Sequence, residues 1–437
     1  MHIFDSLLDL DISTGPVIVA AYALSAAALA YLLFRRRTAV WFFIAIIAIV
    51  AGALIGLLVL WLAVDVFDSF GSPVAGATYI WVPAAFAGFG LAVVNLRGSR
   101  WWRTLVATLS ILLFGVTATL SVNDAYGLSP TLGAFLHIST AKPVGVGTPK
   151  PLGATDPTEP LFYVWKPPMG MPPTGKIGSV EGDIPNTNSL FPARPAQIYL
   201  PPAAQVQNAP KLPLVIMMLG QPGDPDPRYI AKVLDGYAAG NNGLAPIALV
   251  VDQLSDPLMD PLCLDSPLGD VETYLMKDVV PWARENLAVL QSPRYWTVAG
   301  YSNGGECAAY FGSKYPDTFG NLLAISPNEY AGAEQNDVVL SSIFAGDQAA
   351  YDAVKPAVIM ASRAPYLDTT AVFTAGASDS DFSPGTQRLA DAAMKAGMKT
   401  TFYSVPDADH GVSGLNGGLA KGFESLYPRL GLSAPAS

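Results

Sequence analysis

The chain has 437 residues, of which 51% are hydrophobic and only 14% charged, with a formal net charge of −10. That length exceeds one ordinary domain, and so low a charged fraction implies that part of the chain does not face water. Backbone phosphates demand a basic stripe, so 25 Lys and Arg against 35 Asp and Glu argue against nucleic acid as a partner.

In chain order, the first elements are four apolar stretches, at about residues 16–34, 40–64, 77–96 and 104–122, none of which contains Lys, Arg, Asp or Glu. Crossing about 30 Å of hydrocarbon takes roughly 20 helical residues. Four such runs in succession predict an α-helical four-span transmembrane domain over residues 1–123, with Pro83 expected to kink the third span. Basic residues stay on the cytoplasmic side. Arg35, Arg36 and Arg37 follow the first span, and Arg97, Arg100 and Arg103 precede the fourth, so both loops are expected in the cytoplasm. The amino-terminal tail, with Asp5, Asp9 and Asp11, and the loop with Asp65 and Asp68 are expected outside. Beyond Arg103 the next basic residue is Lys142, which predicts that the carboxy-terminal part also lies outside the cytoplasm. No positive segment precedes the first apolar run, as a cleaved signal peptide would require.

Residues 124–174 are rich in Pro, Gly and Thr, which resist regular structure, and read as a semi-extended tether whose aromatic patch at 161–165 packs on the following domain. Residues 175–437 then alternate short apolar runs with helical patterns. Strands are predicted near 197–200, 213–219, 246–251, 295–300, 321–325, 370–374 and 400–405, and helices at 271–287, 304–315 and 385–396. That alternation predicts an α/β domain, a largely parallel sheet with helices on both faces, whose active site forms at the carboxyl ends of the strands.

The run Gly300-Tyr301-Ser302-Asn303-Gly304 sits after an apolar strand and before a small-residue helix. In that context Gly-x-Ser-x-Gly is a nucleophile elbow, a sharp turn in which flanking glycines remove Cβ clashes and expose the serine hydroxyl. A serine nucleophile needs a base, and of the three histidines, His2, His137 and His410, only His410 lies in the predicted α/β core. It follows Ser302 in the order serine, acid, histidine that this fold uses. The acid belongs on the loop after the preceding strand, where Asp379 is favoured and Asp381 is the alternative; Asp407 and Asp409 fit turn caps or solvent-facing groups. Two backbone N–H groups must face the developing oxyanion. One is expected from Asn303 and the other from Gln221, where Gly220 turns the chain after its strand.

The blocks LPLVIMMLGQPG, GYSNGG, GASD before a helix, and VPDADHG resemble, in order and spacing, the putative-esterase family that includes esterase D and the mycolyltransferases of actinobacterial envelopes. The resemblance spans roughly residues 175–430. It implies an α/β-hydrolase fold, Ser302, Asp379 and His410 at the triad positions, and the amides of Gln221 and Asn303 at the oxyanion positions. Two departures concern acyl or alcohol specificity: Leu219 stands where many members carry His, and Gly411-Val412 after His410 lacks an aromatic common in the family.

The two cysteines, Cys263 and Cys307, both fall in the exported part. An oxidising compartment permits a disulfide, whose loop of about 45 residues would contribute about 4 kcal/mol in the chain-entropy model; two separately buried thiols are the alternative. No Cys/His cluster has metal-ligand spacing and no Gly-rich phosphate loop is present, so no cofactor is expected. The leading functional reading is a membrane-anchored serine esterase acting on a cell-envelope or lipid-borne ester, with membrane lipids around its helices. An acyltransferase using the same acyl-enzyme and a non-catalytic membrane receptor or scaffold are the alternatives.

Overall fold

Four apolar stretches separated by charged loops build the first of two units, Met1–Thr140; the second is Ala141–Ser437. The structure, a computed structural model, describes all residues except 1–5, 14, 36–37, 68–73, 75, 98–99, 128, 146–155, 157, 258 and 435–437. His2, Asp5, Arg36, Arg37 and Asp68 therefore lie outside the described residues.

The first unit contains helices α1 (Pro16–Leu33), α2 (Ala39–Trp61), α3 (Thr78–Leu96) and α4 (Trp101–Tyr126). By length and hydropathy these are four helices able to cross a membrane. Pro16 opens α1, where a missing N–H costs nothing because the first turn has no carbonyl to receive it. Thr38 caps α2 by accepting the Trp41 N–H, and Gly127 ends α4 in the left-handed region at φ 67. Two helices outrun their apolar stretches. The second continues into a π-turn at Leu62–Val66, and α4 begins earlier and ends later than its uncharged core, because a charge flanking a span stops burial in lipid but not backbone helicity. Helix α3 passes through Pro83 as one element.

Helices α2 and α3 meet at glycines. A Cβ on Gly52 would lie 2.2 Å from the Phe86 carbonyl oxygen, and one on Gly90 2.1 Å from that of Ala48, so only glycine permits this backbone approach. Helix α1 meets α4 through hydroxyl pairs, Tyr22 with Ser121 at 3.0 Å and Ser25 with Thr117 at 2.8 Å. The two arginine-bearing loops come together at one end of the unit. Arg35 donates to the carbonyls of Val94 and Arg97, and Arg103 to Tyr31 O and to the side chain of buried Asn95. Cations there meet the carbonyl ends of α1 and α3, which carry the negative pole of each helix dipole. Phe43, Ile46, Leu54, Ile80 and Leu112 are exposed on the helix surfaces.

The second unit is built on a nine-stranded sheet. Its strands are β1 (Pro143–Val144), β2 (Lys176–Val180), β3 (Gln197–Leu200), β4 (Leu214–Met218), β5 (Ile247–Val250), β6 (Trp296–Tyr301), β7 (Asn321–Ile325), β8 (Thr370–Gly376) and β9 (Lys399–Val405). Their spatial order is β1-β2-β3-β5-β4-β6-β7-β8-β9. Pairing is parallel from β5 through β9, whereas β3 runs antiparallel to both β2 and β5. Strands β4, β6 and β7 are buried along their whole length, as parallel strands covered on both faces must be. Each Leu, Val, Ile or Met withdrawn there contributes about 1.5–3 kcal/mol.

Among the helices of this unit are α5 (Arg228–Gly240), α6 (Asn303–Lys314), α7 (Ser383–Lys395) and α8 (Val412–Leu426). The helical stretch expected at 271–287 contains a π-turn at Tyr274–Val279 just before Pro281, whose ring and missing N–H disturb the regular ladder behind it. Parts of the stretch read as a tether are fastened to the sheet unit. Pro143–Val144 pairs with β2, Asp156 accepts the N–H groups of Gln291 and Ser292, and a short helix at Leu161–Val164 is followed by Trp165, whose indole donates to Asn242 O.

Candidate active site

Strands β4, β6, β8 and β9 are parallel, so the loops that follow them emerge along one edge of the sheet. Those loops carry Gln221, Ser302, Asp379 and His410 respectively. Ser302 sits between β6 and α6 at φ 55 and ψ −121, a strained setting for a residue with a Cβ. The surroundings hold it there. Its N–H donates to Ile325 O at 2.9 Å and its carbonyl accepts the Glu306 N–H at 3.0 Å. A Cβ on Gly300 would lie 1.8 Å from Gly304 O, and one on Gly304 2.2 Å from Met218 O, so the elbow closes only with glycine at both places.

Ser302 Oγ lies 2.9 Å from His410 Nε2, and His410 Nδ1 lies 2.9 Å from Asp379 Oδ2. The Asp379 side chain is 2% exposed and the His410 side chain 29%, so the carboxylate is shut from water while the imidazole borders it. The other Asp379 oxygen, Oδ1, accepts the Phe382 N–H at 3.3 Å, and the Phe382 ring stacks on the imidazole at 3.8 Å between centroids. The Tyr301 hydroxyl donates to the His410 carbonyl. Between the two candidate acids, the imidazole meets Asp379, while Asp381 is exposed. Asp409 caps the turn after it by accepting from Gly411 N–H and Ser413 Oγ, and Asp407 is exposed at φ 54. His137 belongs to the first unit.

The Gly220-Gln221 turn lies against the elbow, since a Cβ on Gly220 would be 3.2 Å from Ser302 Cβ. Asn303, as the first residue of α6, has an N–H with no carbonyl of its own helix to meet. The Leu219 carbonyl, just before the turn, accepts the Gly304 N–H at 3.1 Å and the Gln253 side-chain amide at 2.5 Å. The same Gln253 nitrogen donates to Asn303 Oδ1 at 2.9 Å. Gln253 is 3% exposed and follows Asp252, which is 1% exposed and gripped by Arg194 through its Nε and Nη2. Arg194 also reaches Asp224 on the loop beyond Gln221.

Cys263 and Cys307 are joined as a disulfide, which fastens the segment that follows β5 to α6. Glu306, one turn beyond Ser302, is 1% exposed. Burial, and then the negative charges of Asp260 and Glu334, push its carboxyl well above the usual range and favour the neutral acid. Among the described residues, no group of three or more His, Cys, Asp or Glu is arranged to hold a metal ion. A surface cavity of about 420 Å³ between α5 and α8, lined by Lys232, Tyr237 and Asn416 among others, includes none of the residues above.

Sequence reasoning reached Ser302, His410, Asp379, Asn303 and Gln221, and the folded chain gathers them at one edge. It missed Gln253, Arg194, Phe382 and Glu306. A usable signal existed for Gln253: the polar pair Asp252-Gln253 directly follows an apolar strand, at the sheet edge where sites form.

A protein of Corynebacterium glutamicum described only as uncharacterized is 29% identical over 443 residues, covering 98% of each chain. Among solved structures, a ferulic acid esterase aligns at 16% identity with a TM-score of 0.47, covering 59% of this chain and 99% of its own. An S-formylglutathione hydrolase from Agrobacterium tumefaciens aligns at 16% identity and 0.45, covering 59% and 96%. A fluorophosphonate-binding serine hydrolase of Staphylococcus aureus aligns at 11% identity and 0.45, covering 58% and 98%. The family model described as putative esterase matches residues 269–416, a span that takes in the Ser302 elbow, Asp379 and His410.

Proposed function

We propose that the protein is a membrane-anchored serine esterase whose domain faces the outside of the cytoplasmic membrane and hydrolyses a carboxylic ester of a lipid or cell-envelope component. The observation that carries the chemistry is the unbroken chain of contacts from Ser302 Oγ through His410 to Asp379, 2.9 Å at each link. The Asp379 carboxylate accepts the Nδ1 proton, which leaves Nε2 as the acceptor for the serine hydroxyl. As Ser302 Oγ attacks the ester carbonyl, its proton passes to His410 and the carbonyl oxygen becomes an oxyanion facing the amides of Gln221 and Asn303. Collapse expels the alcohol, which takes the proton from His410. Water, deprotonated by the same imidazole, then attacks the acyl-serine carbonyl; the free acid departs and Ser302 regains its proton.

Partitioning tests the second half of this cycle. With a chromogenic short-chain ester, free acid is expected as the dominant product with or without millimolar glycerol or trehalose. Acylated acceptor in excess of free acid would replace the hydrolase with an acyltransferase.

The orientation rests on the arginine-bearing loops, which meet at one end of the helical unit through Arg35 and Arg103. A reporter that works only outside the cytoplasm is expected to be active when fused after Ser437. Activity there of a cytoplasm-only reporter would reverse the orientation.

A further inference from the structure

We infer that Gln253 is a positioning residue that sets the spacing of the two backbone amides proposed to hold the oxyanion, and so acts on the rate of the chemical step without touching substrate. The inference rests on the esterase reading above. Its basis is one side-chain nitrogen making two bonds. Gln253 Nε2 donates one hydrogen to Leu219 O at 2.5 Å and the other to Asn303 Oδ1 at 2.9 Å. Leu219 lies two residues before Gln221, and Asn303 is itself the second amide donor. The bridge therefore spans the two chain segments whose separation must match one oxygen atom.

Both halves of the bridge are closed to solvent, with Gln253 and Asn303 each 3% exposed. Water cannot easily replace a lost donor there, so removing it leaves two buried acceptors short of a partner. The mount of Gln253 is stiff as well. Asp252 accepts the N–H groups of Leu254 and Ser255 and is held by Arg194, and Arg194 in turn holds Asp224 on the turn that carries Gln221. Further along the same segment, the Cys263–Cys307 disulfide ties it to α6, whose first residue is Asn303. A glutamine whose two hydrogens are divided between the two oxyanion segments specifies a distance.

The test uses the full chain in detergent, with rates expressed per active site titrated by a fluorophosphonate, so that unfolded protein does not count. Gln253→Met keeps the length without the donors, and Gln253→Glu puts one carboxylate oxygen in place of Nε2, facing the oxygens of Leu219 and Asn303. Removing an oxyanion donor outright costs about 10²–10³ in kcat, and displacing one is expected to cost roughly 10–10² here, with KM for a chromogenic acetyl ester within about twofold. Phenylboronic acid, whose tetrahedral serine adduct places an oxygen where the oxyanion develops, should weaken by the same factor as kcat/KM. A kcat per titrated site within twofold of the parent in both variants would overturn the inference, as would a rise in KM at constant kcat. Ser302→Ala separates the two levels. If that variant keeps its activity, the esterase reading itself fails; if it is dead while both Gln253 variants run at the parental rate, only the role of Gln253 fails.

Discussion

Ser302→Ala and His410→Ala are each expected to lower kcat by about 10⁴–10⁶, and the double variant by little more than either one. The reason is mechanical. With the serine hydroxyl gone there is nothing for the imidazole to deprotonate, and with the imidazole gone Ser302 Oγ loses the acceptor that now lies 2.9 Å away. Strain at Ser302, with φ 55, adds to the argument because the backbone accepts an unfavourable conformation in order to present this hydroxyl. Steady-state hydrolysis of a chromogenic ester, with fluorophosphonate labelling alongside, reads the effect. Residual activity above about a tenth of the parent in either single variant would remove that residue from the proposed chemistry, on the scale that such units normally display.

Asp379→Asn is expected to cost at least about 10³ in kcat, while Asp381→Asn stays near normal. An asparagine at 379 fits the same space but offers an amide as well as a carbonyl to His410 Nδ1. When the amide nitrogen faces the ring, Nδ1 becomes the acceptor and the ring proton moves to Nε2, which can then no longer take the proton from Ser302. Binding should change little, so the loss belongs in kcat. Asp381 is exposed two residues on, and its replacement leaves the 2.9 Å contact between Asp379 and the imidazole in place. A dead Asp381→Asn beside an active Asp379→Asn would move the acid by two residues. Melting curves of both variants guard against reading misfolding as lost chemistry.

The choice between those two aspartates marks where sequence reasoning ran out. The Gly-x-Ser-x-Gly run and a single core histidine were legible because each depends on local chemistry: glycine where a Cβ would collide at 1.8 Å, and one imidazole with no rival in the core. Asp379 and Asp381 share one loop, and what separates them, burial and the 2.9 Å contact with His410, depends on what packs over that loop. The short apolar runs gave away most of the sheet, since strands covered on both faces read as nearly continuous hydrophobic stretches. Strand β2 was missed because KIGSV alternates weakly and half faces solvent, and β1 because two residues carry no periodicity at all. Gln253 and Arg194 escaped for a related reason. A polar side chain shows no pattern in sequence when its partners are Leu219, Asn303, Asp224 and Asp252, all brought to it by tertiary structure.

The residues proposed for catalysis come from the ends of four parallel strands of one sheet, β4, β6, β8 and β9, that are far apart along the chain. Contacts of such long range form late, because each closes a large loop before any of its stabilisation is gained. A chain emerging amino-terminus first would complete its helical unit and strands β1 to β8 while still lacking the imidazole, which arrives only after β9. On the proposed mechanism, chains that have not docked β9 lack the general base, and hydrolysis is expected only once that last strand is in place. If the esterase is anchored beside a membrane built of esters, as proposed, completion of the fold is its own safety catch.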